Sequence, residues 1–224
     1  MTIHQDTVGF LAARSPAAVR VLSRNGIDFC CYGSRRLDDA CAAAGLDPDR
    51  LVAEVADEEA AAGGPSLGWG RRPLAELTRH LAESFHQPWR TEGPRLLALA
   101  RQAAEQPTAA DPDRRRALVR VLEALAEEME GHLEREEQVL FPWLASGRGA
   151  TAGAPIRVAQ AEHRSLVRSL AEIRELTDDL TSAPEAEADE PWLTLVAGLR
   201  VLDEQLREHV HLENNVLFPR ALAG

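Results

Sequence analysis

The pattern His-x-x-x-Glu-x-x-Val-Leu-Phe-Pro occurs twice in the chain, at His132–Pro142 and at His209–Pro219. In a helix, residues four apart lie about 40° apart around the axis, so each imidazole shares a face with its carboxylate. Leu125 and Leu202 lie one heptad before the two histidines, and Val139 and Val216 one heptad after. The His/Glu pairs are therefore expected on core-facing stripes, with the proline ending each pattern. An uncompensated charge in such a place costs several kcal/mol. Two copies of the arrangement read as two walls of a dinuclear metal site.

Composition bounds the alternatives. The chain has 224 residues, enough for one large or two small domains, and aromatics make up only 4%. Leu, Ala, Glu and Arg dominate, which favours helix. A formal charge of -11 argues against a nucleic-acid partner. The N-terminus Met-Thr-Ile-His-Gln-Asp lacks a basic n-region and an apolar h-region, and no apolar run approaches about 18 residues. No membrane association and a cytoplasmic location are expected. Three cysteines, two of them adjacent, make a poor disulfide framework and fit a reducing compartment.

The punctuation predicts an all-α chain in two parts. Residues 1–62 form a small Cys-containing helical domain: Thr7 caps a helix to Arg14, Ser15-Pro16 opens a second that Asn25-Gly26 closes, Ser34 caps a third that stops at Gly45, and Asp47-Pro48 opens a fourth. Phe10, Leu11, Val19, Leu22, Leu37 and Leu51 are its expected core. So small a unit is marginal alone, so contact with the larger domain or self-association into a homodimer is expected. The Gly/Pro-rich stretch 63–72 is the linker. Residues 73–224 read as four long helices: Pro73 to Ala104, interrupted at Pro88 and Gly93-Pro94; Pro112 to Phe141; Ile156 to Leu180; and Pro191 to Phe218. Modest loops between them, including the acidic stretch Ser182–Glu190, imply an antiparallel four-helix bundle, whose core can gather a metal.

A dinuclear site needs more nitrogen donors than His132 and His209. His163 lies on the buried stripe of the third long helix with Ile156, Ala159, Leu166, Leu170 and Ile173. On the first long helix, His80 shares a polar face with Glu76, Ser84 and Gln87, whereas His86 groups with Ala82 and Trp89; periodicity mildly prefers His86. His211 falls opposite His209 and reads as surface or as a support for the ligands. His4 sits in a loose terminus, and Glu134 and Glu137 read as solvated. One His from each helix plus Glu136 and Glu213 describe two non-haem iron ions, with positions left for a small ligand or an oxo bridge. Imidazole and carboxylate suit iron or manganese, and no Cys₄ or Cys₂His₂ spacing suggests structural zinc. The His-x-x-x-Glu order differs from the Glu-x-x-His of ferritin-like di-iron proteins and points to a hemerythrin-like site.

Cys30 and Cys31 lie in the turn before the helix that Ser34 is expected to cap, next to Arg35 and Arg36. A helix N-terminus and adjacent cations lower a thiol pKa, so a reactive or iron-interacting thiolate is expected there. Cys41, inside a helix, reads as core.

Taken together, Ile27-Asp-Phe-Cys-Cys-Tyr-Gly33, Phe85-His86, His132-x-x-x-Glu136-Glu-Gln-x-Leu-Phe-Pro142, Glu162-His163 and His209-x-x-Leu-Glu213-Asn-Asn-Val-Leu-Phe-Pro-Arg-Ala-Leu-Ala-Gly224 resemble the iron–sulfur cluster repair di-iron proteins, the repair-of-iron-centres family. The resemblance spans essentially the whole chain. It implies His86, His132, His163 and His209 as terminal iron ligands, Glu136 and Glu213 as bridges, and a role for the Cys30 and Cys31 thiols. It also implies repair of iron–sulfur proteins damaged by nitric oxide or peroxide, by release of iron to them. Reduction of nitric oxide to nitrous oxide at the di-iron site is the alternative, and a carrier or sensor of O2 or NO is a third. Two departures stand out: Tyr32 replaces the family's Gly after the two cysteines, and Pro88 follows His86 closely enough to displace it.

Overall fold

The computed structural model describes residues 6–61, 69–107, 111–181 and 189–224, and among these the fold is all-α. His4, most of the 63–72 linker and most of the acidic stretch after Ser182 lie outside the described residues. Helices α1 (Val8–Arg14), α2 (Pro16–Arg24), α3 (Leu37–Ala44) and α4 (Pro48–Ala61) are followed by α5 (Leu74–Leu81), α6 (Gln87–Ala104), α7 (Pro112–Arg135), α8 (Phe141–Ala145), α9 (Gly153–Leu176), α10 (Glu190–His211) and α11 (Phe218–Ala223). Among the described residues no helix is long and apolar enough to cross a membrane. The chain divides into two compact units.

One unit comprises Met1–Arg79, Trp143–Ile156 and Arg207–Gly224. Its first helices begin where side-chain caps satisfy the free amides at their N-termini. Thr7 Oγ1 accepts from the Phe10 amide at 3.2 Å, and Ser15 Oγ accepts from Ala18 at 3.2 Å with Pro16 in the first turn. Gly26 and Gly45, both left-handed, close α2 and α3. The third helix starts later than the Ser34 cap implies. An isolated bridge pairs Thr7 with Arg36, the Leu37 amide donates to Asp6, and Arg35 closes a turn on Tyr32, so helix begins only at Leu37. Val8, Leu11, Leu22, Phe29, Leu37 and Leu51 are buried. Phe10 is not: α1 turns Val8, Leu11 and Ala12 inward, which leaves Phe10 on the opposite face at 55% exposure. Val19 is only half-buried.

The other unit, His80–Pro142 with Arg157–Leu206, is a four-helix bundle. Leu96, Ala100 and Ala103 of α6, Leu118, Leu125 and Met129 of α7, Leu166, Leu170 and Ile173 of α9, and Leu195, Leu199 and Leu202 of α10 form one core. Their three- and four-residue spacing lays an apolar stripe along each helix. Asp111 caps α7 on the Arg114 amide at 3.0 Å, and Asp189 caps α10 on the Trp192 amide at 2.9 Å. Buried Asp203 is held by Arg174 through contacts of 2.7 and 3.2 Å.

The prolines expected to end the helices do not end them. π-helical segments run over Ala82–His86, Glu136–Leu140 and Leu212–Leu217, and in each case a proline follows two residues on: Pro88, Pro142 and Pro219. A proline ring in a regular helix presses on the carbonyl four residues back. Those carbonyls belong to Ser84, Gln138 and Asn215, all inside the π segments, where the wider turn gives the ring room. The amides of Gln87, Phe141 and Phe218 accordingly donate five residues back, to Ala82, Glu136 and Glu213, and the helices continue past the prolines. The extra residue also shifts the heptad register. Leu140 takes the inward position expected of Val139, which is 51% exposed, whereas Val216 stays buried beside Leu217.

Candidate metal centre

All three π segments carry residues singled out as ligands. His86 ends the first, Glu136 begins the second, and Glu213 is the second residue of the third. Such interruptions recur at functional sites because they re-aim side chains that a regular helix would present elsewhere.

In the four-helix unit, His86, His132, Glu136 and His163 are all buried. The His86 Nδ1 lies 2.9 Å from Glu137 Oε1, and Arg90 holds the other Glu137 oxygen at 2.9 Å. His132 repeats the arrangement, with Nδ1 at 2.9 Å from Glu162 Oε2 and Arg135 on Glu162 Oε1 at 2.6 Å. A carboxylate only accepts, so each Nδ1 carries the proton and each Nε2 presents a lone pair in the neutral ring. Those two lone pairs face the same atom: Glu136 Oε2 is 3.5 Å from His86 Nε2 and 3.4 Å from His132 Nε2. His163 joins them, because one donor atom each of His132, Glu136 and His163 fall within 4.8 Å of one another. The His132 and His163 rings meet edge-on at 4.9 Å, and Phe141 stacks on His86 at 5.3 Å, so the rings are fixed by packing. Acceptors converging in a dry interior repel one another unless a cation lies among them. The donor set, imidazole nitrogen with carboxylate oxygen, fits iron, manganese or zinc and disfavours calcium or magnesium.

Glu137 and Glu162 are the functional residues that periodicity missed. Glu137 reads from sequence as solvated but is the hydrogen-bond partner of His86. Burial would raise its carboxyl pKa, but the hydrogen bonds from His86 and Arg90 outweigh that and hold it below the ordinary range. Hydrogen bonding to His132 holds Glu162 low in the same way, against partial burial. Carboxylates placed behind ligating histidines fix the tautomer and make the ring a better donor. The signal for Glu162 was its place next to His163, on the neighbouring face of α9.

In the other unit, His209 and Glu213 are both buried, with Nε2 and Oε1 3.0 Å apart. His211 is buried too, which corrects the surface alternative. Its ring meets Phe29 edge-on at 5.4 Å and its Nδ1 lies 3.1 Å from Asn215 Nδ2, while burial pushes its pKa down to about 4 against a backbone contact with Ala12. His80 is half-buried and bonds to Ser84 at 3.0 Å, so of the two candidates on that helix it is His86 that meets Glu136.

The cysteine turn belongs to this same unit. Asp28 Oδ1 accepts from the Cys30 amide at 3.1 Å, the Cys31 amide at 3.0 Å and the Cys30 thiol at 3.2 Å. Cys30 is buried, Cys31 half-buried, and Cys41 buried in α3 as expected. Because α3 starts only at Leu37, no helix N-terminus lies at the thiols, and at Cys30 the expected lowering of the pKa is reversed. The hydrogen bond with Cys31, then burial, then the Asp28 charge push the Cys30 thiol well up, opposed by Arg207. Tyr32 is exposed rather than folded over the thiols. Two residues directly after Glu213 hold the turn in place: Asn215 Nδ2 donates to Phe29 O at 2.9 Å and Asn214 Nδ2 to Cys30 O at 3.1 Å. Asn215 sits where only glycine leaves room, since a Cβ on Gly33 would lie 1.9 Å, and one on Gly9 2.5 Å, from its Oδ1.

Comparison with known proteins accords with this chemistry. A family profile described as "Hemerythrin HHE cation binding domain" matches residues 85–221, and one described as "Domain of Unknown function (DUF542)" matches residues 4–59. The "Iron-sulfur cluster repair protein YtfE" of Edwardsiella ictaluri is 37% identical over 222 residues, covering 99% of both chains. Its namesakes from Yersinia pseudotuberculosis and Pectobacterium atrosepticum are each 34% identical over 224 residues, covering 100% of both chains.

Proposed function

Because the chain belongs to the family of iron–sulfur cluster repair proteins with a hemerythrin HHE domain, we propose that it repairs iron–sulfur clusters damaged by oxidative or nitrosative stress by donating iron to them. The observation that carries the reading is the convergence of two buried histidine nitrogens, each backed by a carboxylate–arginine pair, on the single carboxylate of Glu136. His86, His132, His163 and His209 would hold two irons through imidazole nitrogens, together with the carboxylates of Glu136 and Glu213. The cargo these donors release is ferrous iron, and the acceptor is a damaged cluster or its scaffold.

The donor set suits release. Imidazole and carboxylate hold ferrous iron less tightly than a thiolate- and sulfide-rich acceptor does, so transfer runs toward the cluster. Burial of every ligand keeps water from competing for the bound irons, while the carboxylates Glu137 and Glu162 keep the rings in their binding tautomer. Clusters of this kind are served in a reducing compartment, and cysteines that form no disulfide among the described residues accord with the cytoplasm.

The test mixes the reduced, iron-loaded protein with a cluster enzyme inactivated by nitric oxide, with a ferrous chelator present at a level that suppresses rescue by free iron. Recovery of the enzyme, together with loss of iron from the protein, is the expected result. Recovery equal to that given by the Glu136→Leu variant overturns the donor reading.

A further inference from the structure

We propose that the turn Asp28–Cys31 is a second cation site, in which Cys30 Sγ, Cys31 Sγ and a carboxylate oxygen of Asp28 take one thiophilic divalent cation. One donor atom from each of these residues lies within 4.8 Å of the others, without any rearrangement of the turn. The turn is built around the carboxylate, which gathers the Cys30 amide, the Cys31 amide and the Cys30 thiol on Oδ1. Asn214 and Asn215 grip the Phe29 and Cys30 carbonyls, which fixes the backbone that carries the donors. Cys31 is only half-buried, which gives an ion a way in from solvent.

The chemistry of the donors decides the class of ion. Two sulfurs and one carboxylate select ferrous iron, zinc, cobalt or cadmium over magnesium or calcium. A bound cation favours the thiolate form of the sulfurs that ligate it. Binding is M²⁺ + 2 RSH → M(SR)₂ + 2 H⁺: two metal–sulfur bonds form, two S–H bonds break, both protons leave to solvent, and no electron moves. Three protein donors leave a position through which the ion exchanges. On the donor reading above, this turn is a thiolate acceptor for released iron. That assignment rests on the donor reading; the existence of the site does not.

Cobalt(II) titrated into the full chain separates the two centres, because only sulfur ligation gives thiolate-to-cobalt charge transfer in the near ultraviolet. The expected result is such a band saturating at one cobalt per chain, with two protons released per ion in weakly buffered solution. It persists in Cys41→Ser, is lost in Cys30→Ser and in Cys31→Ser, and needs roughly tenfold more cobalt in Asp28→Asn, which keeps the Oδ1 acceptor of the turn but not its charge. Absence of the band in the wild type, or its survival in the Cys30→Ser/Cys31→Ser double variant, overturns the proposal. If the serine variants fail to fold, proton release and the Asp28→Asn shift decide it in folded protein. Failure here leaves a cobalt-loaded histidine–carboxylate centre, visible by its weaker d–d absorption alone, so the two readings fail separately.

Discussion

Removing the carboxylate behind His132 should weaken metal binding far more than it weakens the fold. Glu162 reaches His132 Nδ1 at 2.9 Å, while Arg135 steadies it from the solvent side at 2.6 Å. In Glu162→Ala the ring loses its proton acceptor, so the tautomer with a free Nε2 is no longer enforced and the ring is free to tilt. Loss of such a partner costs about 10–100-fold in metal affinity, or roughly 1.4–2.7 kcal/mol at about 1.4 per tenfold. The Arg135–Glu162 pair is partly exposed, so its removal should take less than about 1 kcal/mol from the stability of the metal-free protein. Glu162→Gln can still accept through its amide oxygen and should fall between the two. Competition for ferrous iron against a chromogenic chelator measures the affinity, and urea unfolding of the metal-free protein measures the stability. Exposed Glu134, which bonds only Gln138 at 3.0 Å among the described contacts, serves as the control in Glu134→Ala. An affinity for Glu162→Ala within twofold of the control would refute the role given to this carboxylate.

Glu137→Ala should repeat that loss on the His86 side, by a similar roughly 10–100-fold, checked by the same chelator competition. Gly33→Ala places a Cβ 1.9 Å from Asn215 Oδ1 and should destabilise by about 1–3 kcal/mol; combined with Asn215→Ala the costs should be less than additive, as a double-mutant cycle in urea would show. Asp203→Ala removes the buried partner of Arg174, which keeps its contact with Asp179, and should cost about 1–3 kcal/mol by the same unfolding measurement. Glu58 is held below the ordinary carboxylate range by hydrogen bonds from Arg20 and Arg24. Its contribution is therefore present above the ordinary carboxylate pKa and is lost as pH falls through the lower folded value, so Glu58→Gln should flatten the acid limb of a Tm-against-pH profile.

The buried His/Glu pairs proposed as ligands were legible because a histidine and a carboxylate one turn apart recur between apolar heptad positions, a local signal that needs no tertiary information. His86 could be preferred over His80 by the company each keeps along its helix. Glu137 and Glu162 were not legible by the same arithmetic. Both sit beside a proposed ligand on a face that a straight helix turns to solvent, and only the neighbouring helix shows that an imidazole is waiting there. Val139 failed for a related reason: a regular period cannot carry across a π turn, although Pro142 two residues past that turn marks its place. The Ser34 cap failed because the Thr7–Arg36 bridge, a non-local pairing, claims the backbone first. Asn214 and Asn215, more than 180 positions from the cysteines they hold, lay beyond any local reading.

The central claim is that four histidines and two glutamates hold a pair of irons. Iron analysis combined with Mössbauer spectroscopy of the oxidised, iron-loaded protein tests it most directly. The account predicts two irons per chain, antiferromagnetically coupled through their bridges, reduced to one or none in Glu136→Leu and in Glu213→Leu. A single uncoupled iron per chain, or a coupled pair that survives both substitutions, would contradict it.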